Sequence, residues 1–447
     1  MESSRSSALR VVVVGGGASG TLVAAQLARQ AVEPVEVAVV EPAPRPGRGV
    51  AYGTADAQHV LNVPARGMSA LPDEPDHFRA WARLGPTDFA ARRLYGDYLE
   101  ATLDESWLGA PAGSRLLHVR DRAVGLLGAE AGPFRVATAG GGDLEADRVV
   151  LATGHGSPAL PAWTRAAADL VVDPWVPGLV DRLGRDPHVL CVGTGLTFVD
   201  VALTVLAAHP GARVTGISRH GLLPHAHVLP LPEPAPAPEL PDGELRLRPL
   251  LHDLRATGDD WRAAVDGLRP RTQEIWRRLG PADRRAFVAH VARHWEVRRH
   301  RMAPSVAERV EHHRRAGRLR VVAAPSVSVV RHGGQAVVTV GTERLRVDAV
   351  VACTGPSADL TATPLGARLV ATGRARPGPL GLGVDCEPDS GAVVTAAGRP
   401  DPRLGVVGPL RRGVLWETTA IPEIREQAAA TAAHALRDLP AAVGAPA

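Results

Sequence analysis

Two strand–glycine-loop–helix units, one opening at Leu9 and one at His188, predict an α/β protein with two dinucleotide-binding, Rossmann-like domains. A third observation concerns two apolar strands that each end in Thr-Gly, Asp147–Gly154 and Asp348–Gly355. They bracket the second unit and predict that the first domain is discontinuous. The expected order is a first domain over 8–180, a second over 185–340, and a return to the first over 341–447.

In the first unit, Leu9–Val14 is an unbroken apolar run suited to a central parallel strand. It leads into Gly15-Gly16-Gly17-Ala18-Ser19-Gly20 and a helical pattern over Thr21–Gln30. Gly15 permits the tight turn, Gly17 lets backbone approach a pyrophosphate, and Gly20 lets helix and strand pack closely. The helix start then offers free N–H groups and a partial positive charge to phosphates. A second strand, Val35–Val40, ends in Glu41, about twenty residues beyond the last glycine, where a carboxylate accepts from ribose hydroxyls. Strand, glycines, helix, strand and acid together form the full fingerprint, and its place at the N-terminus favours FAD.

The second unit repeats the pattern. His188–Val192 is the strand, Gly193-Thr194-Gly195 the turn and Leu196–Ala208 the helix, with Phe198 at the third glycine position. Gly193, Gly195 and Thr197 are the candidate phosphate contacts. The following strand, Arg213–Ser218, ends in Arg219-His220 where an acid would select an unphosphorylated ribose. A guanidinium there pairs with a 2′-phosphate, so NADPH is preferred to NADH; the other reading of Arg219 is a solvated loop residue.

Composition narrows the function classes. All 51 basic residues are arginine, 47 acids leave a net charge of +4, and 45% of the chain is hydrophobic. The arginines are spread among acids without interleaved aromatics, which argues against a nucleic-acid partner and for small anions. No apolar stretch has bilayer length and none has a signal-peptide layout, so no membrane partner and a cytoplasmic location are expected. Cys191, Cys353 and Cys386 are isolated. With no C-x-x-C pair, a disulfide-reductase centre is not expected.

Pro224–Pro241 is proline-rich and reads as a stiff extended loop. Leu251–Arg315 alternates helical segments dense in Arg, His and Trp, giving a helical insertion over about 224–315. His290 and His294 have the i, i+4 spacing of metal ligands, but no further ligand stands at matching spacing. They read as a solvated face, and no metal is expected. In Trp295–Arg301 (WEVRRHR), the arginines either hold a carboxylate or purine dione, or form a surface ion-pair network.

Asp147–Pro161, DRVVLATGHGSPALP, resembles a run shared by flavin monooxygenases, particularly N-hydroxylating ones. Four further stretches, Gly49–Thr54, His59–Ala70, Gly193–Asp200 and Trp416–Gln427, resemble one group of FAD/NAD(P)-binding flavoproteins. That group includes flavin-dependent urate hydroxylase and nitrosuccinate-forming aspartate monooxygenase. The resemblance spans nearly the whole chain, and Phe198 matches that family's habit. It implies FAD phosphate contacts at Gly15, Gly17, Ser19 and Gly20, with Glu41 at the ribose and Leu61 and Asn62 beside the isoalloxazine. Gly408 and the start of the last helix would cover the other end of the flavin.

The Thr153-Gly154 turn, and Thr418 and Thr419 ahead of a helix running from Ile421-Pro422-Glu423 to about Leu439, complete the candidate FAD residues. The dipole of that helix would stabilise an anionic reduced flavin, or the helix simply packs on the sheet. Asn62 is the candidate catalytic residue, as a polar group at the flavin edge; its other reading is turn stabilisation. The implied activity is an FAD-dependent monooxygenase that consumes NADPH. Acting through a peroxyflavin, it would oxygenate a small polar, nitrogen-containing substrate with dioxygen. An NAD(P)H oxidase or reductase serving a quinone or a protein is the alternative enzyme. A flavin-binding regulatory protein without turnover is the non-enzymatic one.

Overall fold

The computed structural model describes residues 8–128, 132–324, 326–333, 335–357 and 359–437. Two compact units are present. The first comprises Met1–Gly53, Pro64–Gly156 and Ala358–Ala447, and the second Thr54–Val63 and Ser157–Ser357.

The first unit is built on a six-stranded sheet. Strands β1 (Leu9–Val14), β2 (Val35–Val40), β3 (Arg115–Val119) and β7 (Arg148–Leu151) run parallel, and β17 (Pro400–Val406) joins them beside β7. The edge strand β16 (Ala392–Val394) pairs antiparallel with β17. Val11 to Val14 are all buried, as expected of a parallel strand covered on both faces. On one face, Val12, Val14, Ala38 and Val40 form a core with Phe134 and Val136 of an antiparallel meander. That meander is β4 (Ala123–Leu127), β5 (Phe134–Thr138) and β6 (Asp143–Ala146). The helices Ala18–Gln30, Arg92–Leu108 and Ile421–Ala435 pack together as a further layer, the first lying against both others.

The second unit repeats this plan. Its sheet has the order β11-β10-β9-β15-β8, all parallel: Leu319–Ala323, Arg213–Ser218, His188–Val192, Ala349–Ala352 and Val171–Val172. A meander of β12 (Val327–His332), β13 (Gln335–Val340) and β14 (Glu343–Val347) puts Val329, Val338 and Leu345 against Leu190, Val192, Ile217 and Val350. The helix Leu196–Ala208 follows β9. The insertion contributes Leu247–Ala256, Trp261–Gly267, Thr272–Arg278, Pro281–Ala286, Ala292–Arg299 and Pro304–Arg315.

The unit boundaries fall elsewhere than the 8–180, 185–340 and 341–447 read from the sequence. Ser157 onward belongs to the second unit because β8 pairs with β15. Residues up to Ser357 stay there because β15 pairs with β9, in register Val351 with Cys191. The last helix ends at Ala435; the expected end near Leu439 lies outside the described residues.

Candidate functional site

The first glycine loop has the geometry its spacing calls for. Gly15 has φ +102°, and a Cβ there would lie 2.4 Å from the Ala152 carbonyl oxygen, so only glycine fits the turn. At Gly20 a Cβ would lie 1.8 Å from the Gly15 carbonyl oxygen, so the helix approaches the turn at backbone distance. The helix Ala18–Gln30 begins at an N-cap, Gly17, with no side-chain cap and no acid in its first turn. Among the described residues its first N–H groups therefore have no side-chain cap, the condition that favours a phosphate. Glu41 stands beside them, accepting from Gly16 N–H at 2.8 Å and from Ala43 N–H at 3.0 Å. Both bonds fix the carboxylate at the end of β2.

Among the other candidate residues of this unit, Ser19 and Gly408 meet at the start of the same helix. Ser19 is buried, and a Cβ on Gly408 would lie 2.5 Å from its Oγ. Gly408 has φ +80° and donates its N–H to Gln427 Oε1 on the last helix at 2.9 Å. Thr153 is exposed beyond β7, and Gly154 has φ +66°. Thr418 is fully buried and its hydroxyl has no partner among the described residues; Thr419 is half-buried. A buried hydroxyl without a partner costs about 1–3 kcal/mol, so this atom calls for a polar ligand group. Glycine cradle, uncapped helix, carboxylate and orphaned hydroxyl all fit FAD. The last helix also carries Glu423 in its first turn, a negative charge that offsets part of its dipole. Thr418→Val is expected to stabilise the FAD-free protein and to weaken FAD binding about tenfold, read by thermal melting and by flavin retention on dilution.

Leu61 and Asn62 lie on a strap, 54–63, that belongs to the second unit. A polar network that the sequence did not suggest holds the strap there. The Thr204 hydroxyl, on the helix Leu196–Ala208, donates to Asp56 Oδ2 at 2.5 Å, so it accepts from His59 Nε2 at 2.9 Å. His59 Nδ1 is hydrogen-bonded to the Thr54 hydroxyl at 2.7 Å. Arg309 donates to Gln58 Oε1. Leu61 is buried, and His227 of the proline-rich loop donates through Nε2 to the Asn62 carbonyl at 3.0 Å. Burial, and then the Arg301 guanidinium, push the His227 pKa down to about 4, so the imidazole is neutral and keeps that donor at physiological pH.

In the second loop Gly193 has φ +104°, and a Cβ there would lie 2.1 Å from the Cys353 carbonyl oxygen. Gly195 is the N-cap of Leu196–Ala208, again with no side-chain cap and no acid in the first turn. Phe198 solves the packing differently from Gly20. Its ring is buried against Gly216 of β10, where a Cβ would lie 2.6 Å from the ring. The glycine that closes this fold sits on the strand instead of the helix. Thr197 is half-buried in the first helical turn, and Arg219 and His220 are exposed just beyond β10. Sequence reasoning missed Gly216, because its partner lies across the fold and not at fingerprint spacing.

Residues 12–156 match the sequence profile of a family described as FAD-NAD(P)-binding. Sequence comparison with curated proteins gives no match. Among solved structures, the ornithine N-hydroxylase of Kutzneria sp. 744, with reduced FAD, NADP+ and L-ornithine, superposes with a TM-score of 0.64 at 15% identity. That match covers 95% of this chain and 98% of the other. The FAD-bound cadaverine monooxygenase of the desferrioxamine pathway from Erwinia amylovora gives 0.66 at 12% identity, over 99% of both chains. The bacillithiol disulfide reductase of Bacillus cereus gives 0.57 at 15% identity, over 96% and 98%. The chain therefore has the two-dinucleotide fold of these flavoproteins, with an FAD-NAD(P)-binding profile over its first glycine loop. No helix among the described residues is long and apolar enough to cross a membrane.

Proposed function

We propose that the protein is an FAD-dependent, NADPH-consuming monooxygenase acting on a small polar nitrogen-containing substrate. The observation that carries this reading is the pair of glycine-capped helix starts, each without a protein capping group, on one chain. One cradle suits the flavin and the other suits its hydride donor. The solved structures of like fold include enzymes named as amine hydroxylases, and that supports the choice of reaction.

FAD would be held by Gly15, Gly17, Ser19, Gly20, Glu41, Thr153, Gly154, Gly408, Thr418 and Thr419, with Leu61 and Asn62 at the ring. When bound, it supplies two-electron chemistry between the nicotinamide and dioxygen. The helix Ala18–Gln30 offers N–H groups to the pyrophosphate, and Glu41 accepts from ribose hydroxyls. His227 fixes the Asn62 carbonyl, and the Asn62 side-chain amide would be the polar group for the flavin edge. Gly193, Gly195 and Thr197 would hold the NADPH phosphates, and Arg219 and His220 would meet the 2′-phosphate.

A second reading is an FAD-dependent NAD(P)H reductase, favoured by the shared fold of the bacillithiol disulfide reductase. All three cysteines are buried in this chain, so a thiol centre of its own does not support that reading. Anaerobic NADPH should bleach a yellow protein, and air with the right amine or purine should return an oxygenated product. Hydrogen peroxide as the sole product with every such compound would move the assignment to the reductase. Arg219→Ala is expected to raise the KM for NADPH about tenfold while leaving that for NADH within about twofold; equal losses would remove Arg219 from the site.

A further inference from the structure

The helix Ala292–Arg299 in the insertion follows a π-turn at Phe287–Val291, a departure from regular helix that is frequent at functional sites. Its Arg293 guanidinium lies over the second glycine turn. The two terminal nitrogens are 3.6 and 3.8 Å from the point where a Cβ on Gly195 would sit. Glu296 holds the guanidinium at 3.2 Å. Gly195 caps a helix whose first N–H groups carry partial positive charge, so a cation placed against it has the wrong sign. Glu296 offsets part of that charge, and a phosphate between the helix start and the guanidinium would satisfy both.

The neighbouring residue points to the same conclusion at a second place. The His294 ring lies beside His220, with centroids 5.8 Å apart and planes tilted by 38°. His220 lies just past β10, where a dinucleotide fold meets the ribose 2′ position. Burial, and then the nearby Arg298 with smaller contributions from His220 and Arg255, lower the His294 pKa. The Arg298 and Arg255 guanidinium groups make the surroundings of this ring pair favourable to a doubly charged anion.

We propose that this helix is a nucleotide clamp: Arg293 pairs with the pyrophosphate held at Gly195, and His294, beside His220, receives the 2′-phosphate. The inference rests on the NADPH-dependent reading and assigns it two residues from the insertion. Spacing in the sequence suggested for His294 only a solvated face shared with His290.

The test is calorimetric titration of the FAD-loaded protein with NADP+, NAD+ and 2′,5′-ADP, for wild type, Arg293→Ala, Arg293→Lys and His294→Ala. Retention of the flavin spectrum confirms that each variant is folded. Arg293→Ala should weaken NADP+ and NAD+ alike, about tenfold, and Arg293→Lys should recover part of that loss. His294→Ala should weaken NADP+ and 2′,5′-ADP about tenfold and leave NAD+ unchanged. Wild-type affinities in Arg293→Ala or His294→Ala, or equal losses of NADP+ and NAD+ in His294→Ala, would overturn the clamp while leaving the enzyme reading intact. A wild-type protein that binds neither nicotinamide nucleotide would overturn both.

Discussion

Gly20→Ala is expected to yield a colourless protein. The added methyl would lie 1.8 Å from the Gly15 carbonyl oxygen, inside any van der Waals distance. Neither backbone can yield cheaply. Gly15 is fixed by its N–H bond to the Val40 carbonyl at 2.9 Å and by the close approach of Ala152, while the helix is packed on its other side against Ile421–Ala435. Relief requires the helix to move away from the turn, and that withdraws the N–H groups proposed for the flavin pyrophosphate. Overpacking of this kind costs about 1–3 kcal/mol even where neighbours can adjust. Visible absorbance of the purified variant after incubation with excess FAD is the measurement. A fully yellow Gly20→Ala protein would place the flavin away from this loop.

The second large effect is in stability. Phe198→Ala should cost about 3–5 kcal/mol, because the ring is fully buried and its removal leaves a cavity between helix and sheet. Denaturant unfolding followed by tryptophan fluorescence checks this. The partner site gives an independent test. Gly216→Ala places a methyl 2.6 Å from the same ring, so it too should destabilise the protein. In the double variant Phe198→Leu, Gly216→Ala part of that loss should return, since the two changes share one space. Strict additivity would show that ring and strand are not in the packing described.

Much of this architecture is legible because its signals are local. Leu9–Val14, Val35–Val40, Leu196–Ala208 and Arg213–Ser218 have the bounds read from the sequence, since the apolar runs are ended in turn by a glycine, an acid, His209-Pro210 and a basic pair. The helix after the first loop starts at Ala18, ahead of the expected Thr21, because Gly17 already serves as its N-cap. What the sequence hides depends on contacts between distant residues. The strap 54–63 lies between segments of the first unit, yet His59, Asp56 and Gln58 find their partners at Thr204 and Arg309. Arg293 and His294 sit in a run of arginines and histidines where every residue looks equally solvated. Only the π-turn and the helix that follows select which of them meets the glycine turn. The Thr418 hydroxyl is hidden for the same reason, since burial without a partner is a property of the packed chain.

The strap also bears on how such proteins can be recombined. A fragment cut at Ser157 and Ser357 holds every strand of the second sheet but leaves behind the ten residues 54–63. Thr204 and Arg309 would then lose their partners, and the Asn62 carbonyl would no longer meet His227. A transplanted nucleotide module must therefore travel as two pieces of chain, with its smaller piece spliced into the recipient's first module. Exchange at a single pair of junctions breaks this arrangement, so the two modules must be redesigned together.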